Sequence, residues 1–217
     1  MTLFSNLYPV SKKELKEVSF VLADAFSEDE MFKIMKFKIE EIALIYELLI
    51  RISLRYGKVY AISKNLEGII SYTPGKKHTT MWRIIRSGAI FPALKLRKIF
   101  GKEMMKMMEI IDKERKSLDI GSYIYFSVIG VSLKYQGQGF GGKLIRALIE
   151  KADNEGKPIY LETQNEPNVR LYEKFGFKVL KKIDMGAIEF SIDKKKLDYL
   201  EEISKTDPSL WLMIRSN

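Results

Sequence analysis

Apolar residues recur along the chain at two different spacings, and each change of spacing marks a predicted element. A first helical face is formed by residues three or four positions apart, Leu15, Val18, Leu22 and Phe26. The same period continues from about Asp29 to Tyr56, and Gly57 is a suitable residue to end that helix. Shorter apolar runs at 58–63 and 68–72 predict two strands around a turn.

The second half of the chain alternates helix and strand patterns. Residues 79–118 are predicted to be helical, with interruptions at Ser87-Gly88 and around Pro92 and Gly101. Beyond them the pattern predicts strands over 123–131, 159–163, 177–183 and 210–214, and helices over 141–154, 168–175 and 193–204. Helices that alternate with strands predict a mixed α/β fold. A length of 217 residues suits a single domain, 1–217.

The helical segment 79–118 allows more than one role. Four methionines lie together in it, next to a series of basic residues, Lys95, Arg97, Lys98, Lys102 and Lys106. An amphipathic helix with methionine packed inside and lysine outside explains this pattern. A cover over a substrate pocket, or a surface for an anionic partner, explains it as well.

The composition limits the chemistry that the chain can carry out. It has no cysteine and one histidine, His78, which follows the Pro74-Gly75 turn and is predicted to lie in a solvated loop. Disulfides, thiolate nucleophiles and cysteine-ligated metals are excluded, and we expect no metal site. Catalysis must then use carboxylates, hydroxyls, amines and backbone dipoles.

The net charge of +9 admits a nucleic acid, an anionic membrane surface or a phosphorylated cofactor as a partner. Because the lysines are spread along the sequence, the charge alone does not choose among these, and we expect no nucleic acid. The longest apolar-rich stretch, 42–54, contains charged residues and is too short to span a bilayer. The first residues lack the apolar core of a signal peptide. We therefore expect a cytoplasmic monomer or homodimer without a membrane span.

Residues 122–142 join an aromatic and β-branched run to a glycine-rich loop that opens a helix. Such a loop leaves unpaired N–H groups at the helix N-terminus, where phosphate groups bind. Gly137, Gly139 and Gly142 fit the dinucleotide pattern G-x-G-x-x-G, but few strands follow to complete that fold. The pattern of nucleoside-triphosphate loops requires a hydroxyl residue after Lys143, and the chain has Leu144 there.

A third interpretation comes from a resemblance. The loop Gln136-Gly137-Gln138-Gly139-Phe140-Gly141 resembles motif A of the GNAT superfamily of N-acetyltransferases, Gln/Arg-x-x-Gly-x-Gly/Ala. The segment from Asn165 to Phe177, with its Leu-Tyr-Glu sequence and its Gly-Phe end, resembles motif B. One helix and one strand separate the two motifs, as they do in the family. The resemblance covers residues 122–183, while 76–118 and 186–208 look like additional material.

The resemblance implies a fold, a reaction and a donor. The fold is a central, mixed, mostly antiparallel twisted sheet with splayed central strands, flanked by helices. The reaction transfers the acetyl group of acetyl-CoA to a primary amine of a small-molecule acceptor. The donor is expected to contact the backbone of Ile129 and Val131, the loop, and two asparagines: Gln136, Gly137, Gln138, Gly139, Phe140, Gly141, Gly142, Lys143, Asn165 and Asn168.

Two residues are candidates for proton transfer. Tyr172 matches the family's tyrosine and is implied to protonate the departing thiolate. Glu162, at the end of a strand beside the implied splay, could deprotonate the amine through water, or it could be a structural carboxylate that caps the turn at 165–168. A domain that binds acyl-CoA as a sensor without turnover is the alternative function. No motif indicates the acceptor.

Overall fold

The computed structural model describes residues 3–29, 32–33, 36–75, 81–118, 120–184 and 209–216, without the side chains of 81 and 100–108. Seven strands form one sheet in the order β1-β2-β3-β4-β5-β7-β6. Among the described strands, β4 and β5 are the one parallel pair, and every other pair is antiparallel. This confirms the mixed, mostly antiparallel sheet. The strands are β1 Tyr8–Pro9, β2 Lys58–Ala61, β3 Gly68–Pro74, β4 Ile124–Val131, β5 Ile159–Thr163, β6 Lys178–Asp184 and β7 Ser209–Arg215.

Helices cover both faces of the sheet. Within the described residues the α-helices are α1 Leu15–Phe26, α2 Ile39–Tyr56, α3 Met81–Ser87, α4 Ile90–Ser117, α5 Phe140–Glu155 and α6 Glu166–Glu173. Side chains of α5 and α6 pack with Phe126, Leu161 and Met213 on one face. On the other face, α1 and α2 pack over β2, β3 and the middle of β4, and α4 packs over β5 and β7 through Ile111. No helix in the described ranges is long and apolar enough to cross a membrane.

Gly130 allows α1 to approach β4 closely. A Cβ at this position would lie 2.8 Å from Leu22 Cδ2 and 3.1 Å from Ala25 Cβ. Both atoms belong to α1, which is held against the sheet by its buried residues Val18, Leu22 and Ala23. The absence of a side chain at residue 130 therefore fixes the distance between this helix and the strand that leads to the glycine loop.

The predicted helix from Asp29 to Tyr56 is wrong in its continuity. Phe32 and Lys33 are helical, and the N–H of Lys33 donates to the carbonyl of Asp29 (3.0 Å). Lys36 then has a φ of 50° and turns the chain, so α2 starts separately at Ile39. Glu41 accepts a hydrogen bond from the N–H of Lys38 and so stabilises the new helix start. At its other end α2 stops at Gly57, as predicted.

The predicted interruption at Ser87-Gly88 is confirmed, since Gly88 has a φ of 74° between α3 and α4. The interruptions at Pro92 and Gly101 are wrong. Pro92 is the third residue of α4, where its missing N–H has no helical partner to lose. A single glycine costs a helix only about 1 kcal/mol, too little to break it at Gly101.

Several other predictions are confirmed to within two residues, namely the strands and helices between 123 and 184 and the last strand. The predicted helix 193–204, the extra segment 186–208 and His78 lie outside the described residues. The methionine side chains of the 79–118 segment lie outside them as well.

Candidate active site

β4 and β5 separate soon after they begin. The two strands pair only at Ile124 with Ile159 and at Tyr125 with Tyr160. β4 continues to Val131 beside β3, and β5 continues to Thr163 beside β7. The divergence opens a cleft in the middle of the sheet, between strands that would otherwise share a ladder. This confirms the splayed central strands.

The second half of β4 therefore has one unpaired side. The N–H of Ser132 donates to the carbonyl of Glu67 (3.0 Å), next to β3. Because backbone groups alternate sides along a strand, those of Val131 and Ile129 face away from β3. Ser127 forms a bulge, since Val128 and Phe126 pair with consecutive residues of β3. The backbone groups predicted to contact the donor thus lie on the open side of β4.

The glycine loop, residues 136–142, follows β4 and starts α5. Gly137 and Gly139 have φ values of 76° and 79°, a backbone conformation that L side chains rarely adopt. A Cβ at either position would meet no atom within 4 Å, so the outer surface of the loop is open. Gly139 is the N-cap residue of α5, and no side chain caps the helix there. The first N–H groups of α5 are therefore available to an anion.

The other predicted loop residues surround this helix start. Gln138 and Lys143 are exposed, and Phe140, Gly141 and Gly142 are half-buried. Gln136 is exposed too, and its Nε2 donates to the carbonyl of Val131 (3.1 Å). This bond closes the loop against the end of β4, so the Val131 carbonyl already accepts one hydrogen bond.

Asn165 and Asn168 lie at the start of α6, beyond the end of β5. Asn165 is the N-cap residue, and its carbonyl accepts from the N–H groups of Asn168 (3.0 Å) and Val169 (3.2 Å). Its side chain does not cap the helix. The Asn165 Oδ1 atom is buried and has no hydrogen-bond partner among the described residues. Since a buried oxygen normally accepts a bond, this atom fits a donor group of a bound ligand.

Tyr172 is buried on the same face as α5. Its ring packs against Phe126 and Phe177, with ring centroids 5.9 and 5.7 Å apart. Burial raises the pKa of the phenol above its usual value. The hydroxyl therefore stays protonated at neutral pH, as a proton donor must be.

Glu162 lies on β5, on the opposite face from Tyr172, and belongs to a buried polar group that we name the arginine cluster: Arg115, Tyr125, Tyr160 and Glu162. Arg115 of α4 forms two bonds to the carboxylate, from Nε (2.9 Å) and from Nη2 (2.8 Å). The hydroxyls of Tyr125 and Tyr160 donate to its two oxygens at 3.0 and 2.9 Å. The side chain of Arg115 is 12% exposed and that of Glu162 is 10% exposed.

The members of the arginine cluster bond to one another. Each Glu162 oxygen accepts two hydrogen bonds from other members of the cluster. The Arg115 guanidinium also lies over the Tyr125 ring, 4.4 Å from its centroid. Burial, and then the nearby carboxylate, raise the pKa of Tyr125 and of Tyr160. Both phenols are thereby kept protonated as donors to Glu162. The contacts support the structural interpretation of Glu162, and its role as a base stays a prediction.

A pocket opens beside the bulge of β4 and under α2, α3 and α4. Its volume is about 40 Å³, which suffices for one or two water molecules. The ten residues that line it are Leu49, Ile52, Ser53, Thr73, Pro74, Gly75, Arg83, Arg115, Tyr125 and Ser127. Arg83 lies over the Tyr56 ring, 4.3 Å from its centroid. Among the described residues, two arginines and no carboxylate line this pocket, and one of the two, Arg115, is paired with Glu162.

These pocket and cluster residues were not predicted from the sequence, apart from Glu162. Arg115 is separated from Glu162 by 47 positions, and no motif connects them. The only signal was the basic character of the 79–118 segment, which did not single out one residue. Within the described part of the chain, no group of three or more His, Asp or Glu residues could hold a metal ion.

The arrangement of splayed strands, glycine loop and α6 is matched among known proteins. A model of the Acetyltransferase (GNAT) family matches residues 107–177, which run from α4 to the end of the α6 region. An uncharacterized N-acetyltransferase of Schizosaccharomyces pombe is 30% identical over 185 residues, which are 77% of this chain and 72% of that protein. The chain belongs to the GNAT family of acetyltransferases.

Solved structures of GNAT proteins share the fold. Arylalkylamine N-acetyltransferase 2 from Aedes aegypti superposes with a TM-score of 0.64 at 15% identity, over 97% of each chain. The polyamine N-acetyltransferase of Drosophila melanogaster, which forms N-acetylagmatine, gives 0.62 at 14% identity, over 97% of this chain and 99% of that one. At such low identity the likeness concerns the fold and not the acceptor. The family uses acetyl-CoA as its acetyl donor, so this chain is an acyltransferase by family.

Proposed function

We propose that this protein transfers the acetyl group of acetyl-CoA to a primary amine of a small acceptor. The observation that carries the proposal is the cleft between β4 and β5, with an open glycine loop at one end of it. An enzyme of this kind must hold a long phosphorylated donor and bring its thioester to the middle of the protein. A helix start with free N–H groups supports the first requirement, and an unpaired strand side supports the second.

The donor is assigned to the residues around this cleft. The pyrophosphate is assigned to the N–H groups from Gln138 to Gly142. The N–H of Lys143, which was predicted to take part, already donates to the carbonyl of Gly139 (3.0 Å), so Lys143 would contribute through its side chain. The backbone of Ile129 and the N–H of Val131, which pair with no neighbouring strand, bond the pantetheine amides, as an added strand would. The Val131 carbonyl already accepts a hydrogen bond from Gln136. Asn165 offers its buried Oδ1 to a donor group of the same arm.

The reaction needs a neutral amine and a proton for the leaving group. The amine nitrogen attacks the thioester carbonyl carbon, the carbon–sulfur bond breaks, and the thiolate takes a proton. Tyr172 is assigned as the source of that proton. Its phenol is protonated, and it belongs to α6, which starts just beyond the end of β5. The nitrogen releases one proton to a base or to water, and the phenolate left on Tyr172 recovers one proton from water, so charge and protons balance over the cycle.

Glu162 remains a candidate for the base that accepts the amine proton. Its four hydrogen bonds would have to be rearranged before it could do so, because each oxygen already accepts two. The same bonds suit a positioning role, in which the carboxylate fixes Arg115 and Tyr125 at the wall of the pocket. Replacing Glu162 by Gln separates the two roles, since loss of a base removes a step from the pH profile of kcat.

The reacting amino group of the acceptor is assigned to the pocket beside the β4 bulge, whose volume of about 40 Å³ admits no larger part of the molecule. Among the described residues Arg83 and Arg115 line that pocket, and the charge of Arg115 is balanced by Glu162. The charge of the lining therefore does not choose among acceptor amines. The polyamine acceptor of the fly structural neighbour is not carried over to this chain, because that neighbour is similar in fold alone.

One assay tests the function. Release of CoA thiol from acetyl-CoA is measured with a panel of amines that contains amino acids, arylalkylamines and polyamines. Because the chain has no cysteine, the enzyme adds no thiol background. Turnover with at least one amine is expected.

One observation favours a second function, an acyl-CoA-binding sensor. The carboxylate predicted as the base is fully engaged in the arginine cluster, as a purely structural residue would be. Tight binding of acetyl-CoA without turnover on any amine would support the sensor and contradict the enzyme. Absence of binding would contradict both.

A further inference from the structure

The outer faces of α3 and α4 expose an unusual number of large apolar side chains. Trp82 is 74% exposed, Phe91 is 75% exposed and Leu94 is 57% exposed, and Ile85 and Ile90 are exposed as well. On α3, residues 82, 85 and 86 lie on one side of the helix. On α4, residues 91, 94, 95 and 98 do so.

These exposed apolar side chains are not core residues that pack poorly. The opposite side of α4 is packed, with Leu96 at 8% exposure, the inner residues Arg83 and Ile84 of α3 are half-buried, and both helices contact α2. Each helix therefore already has its inner face packed. The apolar residues on the outer face are available to something outside the chain.

Positive charge is concentrated in the same segment. Residues 76–102 contain eight Lys or Arg residues and no Asp or Glu. Since the net charge of the whole protein is +9, the rest of the chain is nearly neutral. Arg86, Lys95 and Lys98 are exposed and stand beside the exposed apolar residues. We name this surface, the outer faces of α3 and α4, the basic face.

We propose that the basic face binds an anionic phospholipid membrane surface. Exposed Trp, Phe and Leu side chains enter the boundary between headgroups and acyl chains, while Lys and Arg side chains reach the acidic headgroups. A second copy of the chain is a poor occupant, because a two-fold interface would place the same positive surface against itself. The proposal does not depend on acetyl transfer.

Sedimentation with vesicles tests the proposal on the full chain. We expect binding to vesicles of phosphatidylcholine mixed with phosphatidylserine, little binding to phosphatidylcholine alone, and weaker binding as salt is added. Trp82 reports the contact directly. The other tryptophan, Trp211, is buried, so a blue shift of the emission on adding vesicles comes from residue 82. Failure to bind the mixed vesicles would overturn the proposal.

Matched variants show whether the basic face is responsible. Lys95→Glu with Lys98→Glu should weaken vesicle binding by at least about tenfold, since each basic residue near the surface contributes to the attraction. Lys12→Glu with Lys13→Glu changes the net charge equally, at two exposed residues of a different region, and should weaken binding much less. An equal loss in both pairs would mean that only net charge matters, which contradicts the proposal.

Phe91→Ser tests the apolar part and should weaken binding to the mixed vesicles while leaving the circular dichroism spectrum unchanged. Analytical ultracentrifugation tests the other occupant. A concentration-dependent dimer that Phe91→Ser abolishes would overturn the proposal and make the basic face an interface between copies. A protein that stays monomeric and binds the mixed vesicles would support it.

Discussion

The glycine loop and the arginine cluster lie beside the same divergence of β4 and β5, on different faces of the sheet, and they are built in different ways. The loop offers backbone N–H groups, with an open surface at Gly137 and Gly139. The cluster consists of side chains whose hydrogen bonds are already made to one another around Glu162. The loop is prepared to bind something, and the cluster is already complete.

One cleft can thus combine a general donor with a particular acceptor. Backbone groups recognise a phosphate by geometry alone, so they tolerate changes in neighbouring side chains. A closed cluster of charged and aromatic groups fixes the wall of a pocket but depends on every member. Variants of the arginine cluster should therefore lose stability, and variants on the donor side should lose donor binding or turnover.

The largest expected effect is on the arginine cluster. Arg115→Met leaves a buried carboxylate without its cation and should lower the free energy of unfolding by about 3 to 5 kcal/mol. Urea denaturation measures it. Arg170→Met is the control, because the Arg170–Glu166 pair is exposed and should be worth about 0.5 kcal/mol or less. Similar small losses in both variants would refute the idea of a closed, mutually dependent cluster.

The second prediction concerns turnover. Tyr172→Phe should lower kcat about a hundredfold, as expected for removal of a general acid, with unchanged affinity for acetyl-CoA in calorimetry. Tyr123→Phe is matched to it, because this hydroxyl is also buried and has no partner among the described residues, but it lies on the other face. Equal rates for Tyr172→Phe and the unmodified protein would remove the assignment.

The third prediction separates donor binding from stability. Gly139→Ala and Gly156→Ala each place a Cβ at a positive φ, 79° and 60°, at opposite ends of α5. Each should cost about 1 kcal/mol of folding free energy. Only Gly139→Ala should also weaken acetyl-CoA binding, by about tenfold. Equal affinity in the two variants would show that the loop does not hold the donor.

The smallest expected effect is an unchanged rate at high pH. Because burial raises the pKa of Tyr172 above 10.0, the phenol keeps its proton below that pKa and loses it only above. The value of kcat should therefore show no decline from ionisation of this group between pH 7 and about pH 10. A decline with its midpoint below 10 that is absent from Tyr172→Phe would contradict the raised pKa.

The sequence was sufficient for features that are set locally. The glycine loop and α5 could be predicted to within one residue, because glycine spacing and an apolar helical stripe lie in one short segment. The membership of the GNAT family rested on the same segment and on residues 165–177. The splay of β4 from β5 came with that resemblance and not from the strand pattern, which is the same for paired and unpaired strands.

The arginine cluster could not be predicted in this way. Arg115 and Glu162 meet only after α4 has packed on β5 and β7, and no periodicity marks a contact across 47 positions. The break in the chain before α2 was not predicted for a different reason. A positive φ at Lys36 is rare for such a residue, so the apolar pattern favoured a helix that continued through it.

Because β4 and β5 pair at only two positions, the rest of β4 forms a strand edge in the interior of the sheet. Strand edges are normally at the outside of a sheet, where they attract other strands. Here the amides of Ile129 and Val131 belong to a central strand but should exchange their hydrogens as rapidly as those of an outer strand, until a ligand covers them. The protein thus keeps an unpaired strand side in the middle of its sheet, where an extended ligand can add to it.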